Sequence, residues 1–139
     1  MTDPMQRYDS LFQCYARTLD WRDLKAQAIA ESRLDPKAIS HCGAEGVAQF
    51  MPATFKEIMG SADPFNPESS IQAQGIYMLK LMEHYGNDLS LALAAYNWGM
   101  GNLSRCRAAH GAAWRDYLPD ETAQYLERIR VIRATLVAA

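Results

Sequence analysis

Apolar residues recur at helical spacing along almost the whole chain, and no alternating apolar and polar run typical of a β-strand exceeds four residues. The first apolar stripe, over roughly residues 5–19, consists of Tyr8, Leu11, Phe12, Tyr15 and Leu19. Further helices are predicted over 21–33, 53–59, 67–86, 89–98 and 101–110, with a last one after Pro119 and Asp120. The pattern therefore predicts an all-α fold of six to seven helices.

The helical pattern is interrupted by one long irregular segment, residues 34–52. Pro36, Gly43, Gly46 and Pro52 punctuate it, which is typical of a loop with tight turns. Elsewhere the boundaries carry ordinary helix signals. Asp20 and Asn66 stand at N-cap positions, and either Asn87 or Asp88 stands before the fifth predicted helix.

Length and composition predict a single domain over residues 1–139. Domains commonly span about 100–200 residues, and the chain has no linker, internal repeat or charge block. A hydrophobic fraction of 49% with 22% charged residues is ordinary for a globular protein and excludes a disordered or collagen-like chain. The net charge of −2 provides no positive field for nucleic acid or anionic lipid. No apolar run reaches the roughly 20 residues of a membrane span, and no signal peptide is recognisable.

The cysteines and histidines do not predict a metal site. Cys14, Cys42 and Cys106 are odd in number and widely spaced, which favours three free thiols, although one disulfide bond is left open. The three histidines also lack the spacing of metal ligands. We therefore expect neither a metal nor a cofactor.

Glu31 is the first candidate for chemistry. It follows Ala28, Ile29 and Ala30, so its carboxyl lies at the edge of an apolar surface. Apolar surroundings disfavour the charged form and raise the pKa of a carboxyl, which can then donate a proton near neutral pH. The alternative is an ordinary solvated glutamate, although a negative charge near a helix C-terminus gains nothing from the helix dipole.

Two further segments contain polar residues among apolar ones. In the loop, Gln49 lies next to Phe50 and Met51, and a buried amide there requires hydrogen-bond partners or a ligand. Tyr96 and Asn97 end an alanine-rich helix and bring a phenol and an amide. Each residue alone is compatible with a structural role, and Phe50 and Met51 with the core.

The order of these segments carries a resemblance to a known family. Glu31-Ser32, then Gly43-x-x-Gly46-x-x-Gln49-x-Met51-Pro52, then Ala94-Ala95-Tyr96-Asn97-x-Gly99 resembles the soluble lytic transglycosylases, whose fold is lysozyme-like. The resemblance covers roughly residues 24–101, with a weaker match at 121–126. It implies a lysozyme-like single domain in which segment 34–52 is the active-site loop.

The resemblance also implies roles for individual residues. Glu31 is similar to the single catalytic acid and base of the family. The substrate-binding residues implied are Ser32, beside the carboxyl or the substrate, Gly46, Gln49 and Met51 in the cleft, Tyr96 and Asn97, which orient the acid and complete the floor, and Tyr125 facing the same cleft.

The implied reaction is cleavage of the β-1,4 bond between N-acetylmuramic acid and N-acetylglucosamine in peptidoglycan, with formation of a 1,6-anhydromuramoyl end. The loop departs from the family pattern, because Val47 and Ala48 replace a Leu-Met pair, and Glu45 replaces a small or polar residue. Glu45 therefore supports an alternative, a muramidase in which this possible second carboxylate activates water. An inactive peptidoglycan-binding module is a third hypothesis.

The resemblance implies action on the bacterial cell wall, in the periplasm, with glycan strands as the partner. Because no leader is recognisable, we expect delivery with a bacteriophage virion, through a secretion apparatus, or by another route.

Overall fold

The computed structural model describes residues 3–136, and it confirms the all-α prediction. The termini of the proposed domain, residues 1–2 and 137–139, lie outside the described residues. The helices are α1 (Asp9–Tyr15), α2 (Trp21–Ser32), α3 (Pro52–Met59), α4 (Pro67–His84), α5 (Leu89–Trp98), α6 (Met100–His110) and α7 (Asp120–Ala134). Two 3₁₀ helices, Pro4–Gln6 and Gly111–Tyr117, complete the described part.

The first helix is shorter than its apolar stripe predicts. Over residues 5–19 the structure has the end of a 3₁₀ helix, then α1, then a turn in which Arg17 has φ 53°. A left-handed residue cannot continue a right-handed helix, so α1 ends before Leu19. The sequence also gave no signal for the 3₁₀ helix Gly111–Tyr117.

Side-chain caps begin three helices where they were predicted. The Oδ1 atoms of Asp20, Asn66 and Asp88 accept hydrogen bonds from backbone N–H groups in the first turns of α2, α4 and α5. Asp88, rather than Asn87, begins α5. These bonds satisfy donors that a helix N-terminus otherwise leaves without partners.

Helix α2 packs against both α1 and α7, while α5 packs against α4, α6 and α7. Fully buried side chains such as Phe12, Leu24, Met78 and Leu103 form the main core. Among the described residues, no helix is both long and apolar enough to span a membrane.

The loop predicted over residues 34–52 is observed over residues 33–51, where it joins α2 to α3 without forming a strand. Glu45 forms isolated antiparallel bridges with Ile39 and Phe50, which fold the loop back on itself. Gly46 has φ 81°, and a Cβ atom there would lie 2.1 Å from the backbone oxygen of Pro64. The loop therefore requires glycine at this position both for its backbone conformation and for its contact with residue 64.

Candidate active site

A cavity of about 500 Å³ opens between the loop, α5 and the start of α7. Five of the predicted site residues line it, namely Glu31, Gln49, Met51, Tyr96 and Asn97. Ser32, Gly46, Tyr125 and Glu45 are not among its lining residues. The structure therefore brings residues from three separate sequence segments to one cleft.

Glu31 enters this cleft from the last turn of α2. Arg33 and Leu34, which follow the Glu31-Ser32 pair, have φ 55° and 63°. The helix therefore ends immediately after this pair. Burial raises the pKa of the Glu31 carboxyl to about 7, partly opposed by a hydrogen bond from Tyr125 and by the positive charge of Arg128. The negative charge of Glu121 adds to the increase. A carboxyl with this pKa is available both as an acid and as a base near neutral pH.

Tyr125, rather than Tyr96, holds the Glu31 carboxyl. The Tyr125 hydroxyl donates a hydrogen bond of 2.8 Å to Glu31 Oε2, and its side chain is buried beneath the cleft. The Tyr96 hydroxyl donates instead to the backbone oxygen of Ala48, at 2.8 Å. Burial raises the pKa of both phenols well above the ordinary value, and the nearby Glu31 contributes in each case. Both tyrosines therefore stay protonated and act as hydrogen-bond donors.

Ser32 and Gly46 have structural positions. Ser32 Oγ donates to the backbone oxygen of Val47 at 2.7 Å, which ties the end of α2 to the loop. The Gly46 N–H donates to the backbone oxygen of Ala38 at 2.9 Å. Both residues shape the loop behind the cavity.

Gln49 lines the cavity while also bracing the loop. Its Nε2 donates to the backbone oxygens of Ala38, at 3.1 Å, and of Gly46, at 2.9 Å. Both hydrogens of the amide are thus used, so Gln49 meets a ligand only through Oε1, as an acceptor. Met51 is the N-cap residue of α3 and is 46% exposed, so it presents apolar surface to the cleft rather than to the core.

Phe50 belongs to the core, which was one of the two roles that the sequence left open for it. It is 3% exposed, and its ring centroid lies 5.4 Å from that of Tyr96 and 6.0 Å from that of Tyr77. Such tilted and edge-to-face aromatic pairs favour a fixed arrangement of the rings. This cluster supports the cleft wall behind Tyr96.

Asn97 is held by the start of α7. Its Oδ1 accepts a hydrogen bond of 2.8 Å from the Thr122 hydroxyl, which is buried. That bond leaves the Asn97 amide nitrogen as the group able to donate to a ligand in the cleft.

The second carboxylate that lines the cavity is Glu121, not Glu45. Glu45 contributes backbone bonds to Phe50, whereas Glu121 lies in the first turn of α7. Sequence reasoning included Glu121 only in the weaker match at 121–126 and gave it no role. It also missed Ser40, His41, Cys42 and Tyr77, all of which line the cavity.

The described residues contain no group of three or more His, Cys, Asp or Glu side chains that could hold a metal ion. All three cysteines are free, with Cys14 and Cys42 exposed and Cys106 buried.

Comparison with known proteins identifies relatives of this chain. It is 35% identical over 121 residues to the membrane-bound lytic murein transglycosylase F of Shewanella denitrificans, an alignment that covers 78% of this chain and 24% of the relative. The chain thus spans about a quarter of that relative's length.

Solved structures agree in fold. The 70 kDa soluble lytic transglycosylase of Escherichia coli superposes with a TM-score of 0.82 at 27% identity, over 93% of this chain and 24% of that one. The structure of the 70 kDa soluble lytic transglycosylase in complex with bulgecin A gives a TM-score of 0.83 at 26% identity, with the same coverage of 93% and 24%. These similarities confirm the predicted lysozyme-like fold.

The family model for the Transglycosylase SLT domain matches residues 12–118. The match includes Glu31, the loop and the end of α5, where the sequence resemblance was found. The chain therefore belongs to the soluble lytic transglycosylase family.

Proposed function

We propose that this chain is a peptidoglycan lytic transglycosylase that cleaves the β-1,4 bond between N-acetylmuramic acid and N-acetylglucosamine. The observation that carries the proposal is the Glu31 carboxyl, which lines the cleft with a pKa of about 7 and is held by Tyr125. The murein transglycosylase named among its relatives supports the same substrate class.

Glu31 acts twice in the proposed reaction. Its protonated carboxyl first donates the proton to the glycosidic oxygen, and the bond from that oxygen to the muramoyl anomeric carbon breaks. The 2-acetamido group of the substrate stabilises the positive charge at this carbon. The Glu31 carboxylate then takes a proton from the muramoyl 6-hydroxyl, whose oxygen bonds to the anomeric carbon. The products are a free 4-hydroxyl on N-acetylglucosamine and a 1,6-anhydro end, and no water is consumed.

The other lining residues bind the glycan in this scheme. Gln49 Oε1 accepts a hydrogen bond from a sugar hydroxyl, because both hydrogens of its amide are used within the loop. The amide nitrogen of Asn97 donates to the sugar, since its oxygen is occupied by Thr122. Met51 gives the apolar contact that the face of a sugar ring prefers.

Hydrolysis is the second candidate, because another carboxylate lines the cleft. That carboxylate is Glu121. In the muramidase alternative, Glu121 rather than Glu45 is therefore the residue that activates water. An inactive binding module has less support, since a carboxyl with a pKa of about 7 is suited to proton transfer.

Digestion of purified peptidoglycan sacculi in water enriched in ¹⁸O tests these alternatives. A transglycosylase releases muropeptides with anhydro ends and no incorporated label. Reducing muramic acid ends that carry ¹⁸O would instead establish hydrolysis, and retention of the protein on sacculi without any release would establish a binding module.

The site of action proposed is the bacterial cell wall, where such glycan strands occur. Bulgecin A, which is bound to the 70 kDa soluble lytic transglycosylase in the solved complex, is a suitable probe of the cleft. Delivery with a phage virion or through a secretion apparatus stays a prediction, as does the single domain over residues 1–139.

A further inference from the structure

A chain of buried hydrogen bonds runs from the core to the candidate acid. Gln74 Nε2 donates to Gln27 Oε1 at 2.8 Å, and Gln27 Nε2 donates to the Tyr125 hydroxyl oxygen at 2.9 Å. The Tyr125 hydroxyl donates in turn to Glu31 Oε2 at 2.8 Å. Gln74 and Gln27 are completely buried and Tyr125 is 1% exposed. The chain therefore joins α4, α2 and α7 away from solvent.

A backbone carbonyl fixes the direction of this chain. Gln74 Nε2 also donates to the Leu24 oxygen at 2.9 Å, and a carbonyl oxygen can only accept. The nitrogen of the Gln74 amide must therefore face Leu24 and Gln27, so Gln27 presents its oxygen to Gln74. The nitrogen of the Gln27 amide then faces Tyr125.

This direction determines what Tyr125 can do. Its oxygen accepts from Gln27, and its single hydroxyl proton is directed to Glu31. A phenol hydroxyl that accepts no such hydrogen bond is free to rotate. It can then accept a hydrogen bond from a protonated carboxyl as readily as it donates one to a carboxylate. Donation by Gln27 also polarises the phenol, which strengthens its bond to Glu31.

Stability does not account for these two glutamines. Burying an amide is unfavourable unless each polar atom has a partner, and Gln74 Oε1 accepts no hydrogen bond from the described residues. A leucine or methionine of similar size would pack there without that cost. The buried pair is therefore better explained by what it does to Tyr125.

We propose that Gln27, anchored by Gln74, is a positioning residue that holds the Tyr125 hydroxyl as a donor to Glu31. The role rests on the proposed function, in which Glu31 is first an acid and then a base. A fixed donor favours the carboxylate that forms after the first proton transfer. Gln27 thus keeps Glu31 able to give up its proton although the carboxyl is buried.

Four charged or titratable groups interact with Glu31 from the elements around it. Tyr125, Arg128 and Glu121 do so from α7, and Tyr96 from α5. Of these, only Tyr125 is hydrogen-bonded to Gln27. Replacement of Gln27 by an apolar residue therefore leaves the other three in place and isolates the contribution of the oriented hydroxyl.

The experiment measures the titration of Glu31 directly, by NMR of protein labelled with ¹³C at the glutamate carboxyls, with Glu31→Gln used for assignment. In Gln27→Leu, we expect the proton affinity of Glu31 to rise by roughly threefold to tenfold, as expected for loss of one oriented hydrogen bond. In the Tyr125→Phe background, the same substitution is expected to add no further change.

Two variants separate positioning from stability. Leu103→Val removes a buried methylene on α6 from a side chain that takes no part in these hydrogen bonds, and it should lower the melting temperature without changing the titration of Glu31. Gln27→Met keeps the length of the side chain but removes both amide atoms, the donor to Tyr125 and the acceptor from Gln74. It is the replacement variant if Gln27→Leu does not fold. It should reproduce the rise in proton affinity.

An unchanged Glu31 titration in folded Gln27→Leu or Gln27→Met would overturn the proposal. An equal rise in the Tyr125→Phe background would do so as well, because the effect would then not pass through the hydroxyl. The NMR measurement requires no substrate, so it can fail while the peptidoglycan assay succeeds, or the reverse.

Discussion

The Tyr125 hydroxyl donates a 2.8 Å hydrogen bond to Glu31 Oε2 although the two residues are 94 positions apart in the chain. Helix α7 packs on α2, and this packing delivers the phenol to the carboxyl from beneath the cleft. Tyr125, together with the positive charge of Arg128, favours the ionised form of Glu31 against the effect of burial. The bond therefore connects the packing of the fold to the proposed acid–base chemistry.

Tyr125→Phe removes this bond and keeps the ring. The pKa of Glu31 should rise above about 7, because a contact that favours the carboxylate is lost. A hydrogen bond to a charged group contributes ~1.5–3 kcal/mol, so the turnover rate should fall roughly 10- to 100-fold. Rates of peptidoglycan cleavage measured between about pH 5 and pH 9 report both effects, because this range brackets the pKa of Glu31.

Tyr117→Phe is the matched control for this change, since Tyr117 is exposed and stacks on His110 away from the cleft. It should leave the rate and the pH profile unaltered. A Tyr125→Phe protein with the wild-type rate and an unmoved alkaline limb would show that the bond has no catalytic role.

Glu31→Gln should increase the free energy of unfolding by an amount that grows as the pH rises. The folded-state pKa of about 7 lies above the ordinary 4.5, so the folded protein binds this proton more tightly than the unfolded chain does. Below pH 4.5 the carboxyl is protonated in both states, and its contribution is lost as the pH rises through about 7. The neutral glutamine avoids the buried charge, so the variant should be more stable than wild type at pH 8, by at most about 3 kcal/mol, and close to it at pH 4.

Thermal unfolding across this pH range measures the difference. Glu57→Gln, on the exposed face of α3, is the control for loss of a carboxylate at the surface. Equal effects of Glu31→Gln at pH 4 and pH 8 would contradict the buried, raised-pKa carboxyl.

Glu121→Gln should shift the activity profile towards lower pH. Glu121 lines the cavity, and its negative charge raises the pKa of Glu31, so removing that charge lowers the pKa below about 7. The alkaline limb of kcat/KM should therefore move down, most clearly at low ionic strength, where exposed charges are least screened. Anhydro ends should remain the product.

Glu127→Gln, also on α7 but exposed and paired with Arg130, controls for a change in helix charge. Complete loss of cleavage in Glu121→Gln with an unmoved pKa of Glu31 would assign Glu121 a direct part in the reaction and favour hydrolysis.

Gly46→Ala should destabilise the loop strongly. The added methyl would lie 2.1 Å from the Pro64 oxygen, and φ 81° is unfavourable for alanine. Backbone strain and overpacking together should cost ~2–5 kcal/mol. At Gly60, φ is 64° but no atom lies within 4 Å of the added methyl, so Gly60→Ala should cost only ~1 kcal/mol. Equal costs in chemical denaturation would show that the contact with residue 64 is unimportant.

The fold was predictable because its signals are local. Asp20, Asn66 and Asp88 cap helices directly ahead of apolar periodic segments, and Gly43 and Gly46 mark a loop that cannot be helical. The end of α1 was not predictable, because Arg17 adopts its left-handed conformation without a glycine or proline to signal it.

The sequence predicted which residues form the site better than it predicted the contacts between them. Motif order predicted that Glu31, Gln49 and Tyr96 belong to one site, and all three line the cavity. Which tyrosine reaches the carboxyl depends on how α7 packs against α2 and α5, and no sequence spacing encodes that. For the same reason the second carboxylate was predicted wrongly. Glu45 was chosen because it lies in the loop, whereas the second carboxylate that lines the cleft is Glu121.

The central claim is that Glu31 transfers the proton, and the solubilisation of purified sacculi by Glu31→Gln tests it most directly. The glutamine keeps the shape of the side chain but cannot donate or accept a proton in the reaction. With Glu57→Gln as a folded control of wild-type activity, we expect Glu31→Gln to release muropeptides at least ~10²- to 10⁴-fold more slowly. Release at the wild-type rate by the folded Glu31→Gln protein would contradict the account.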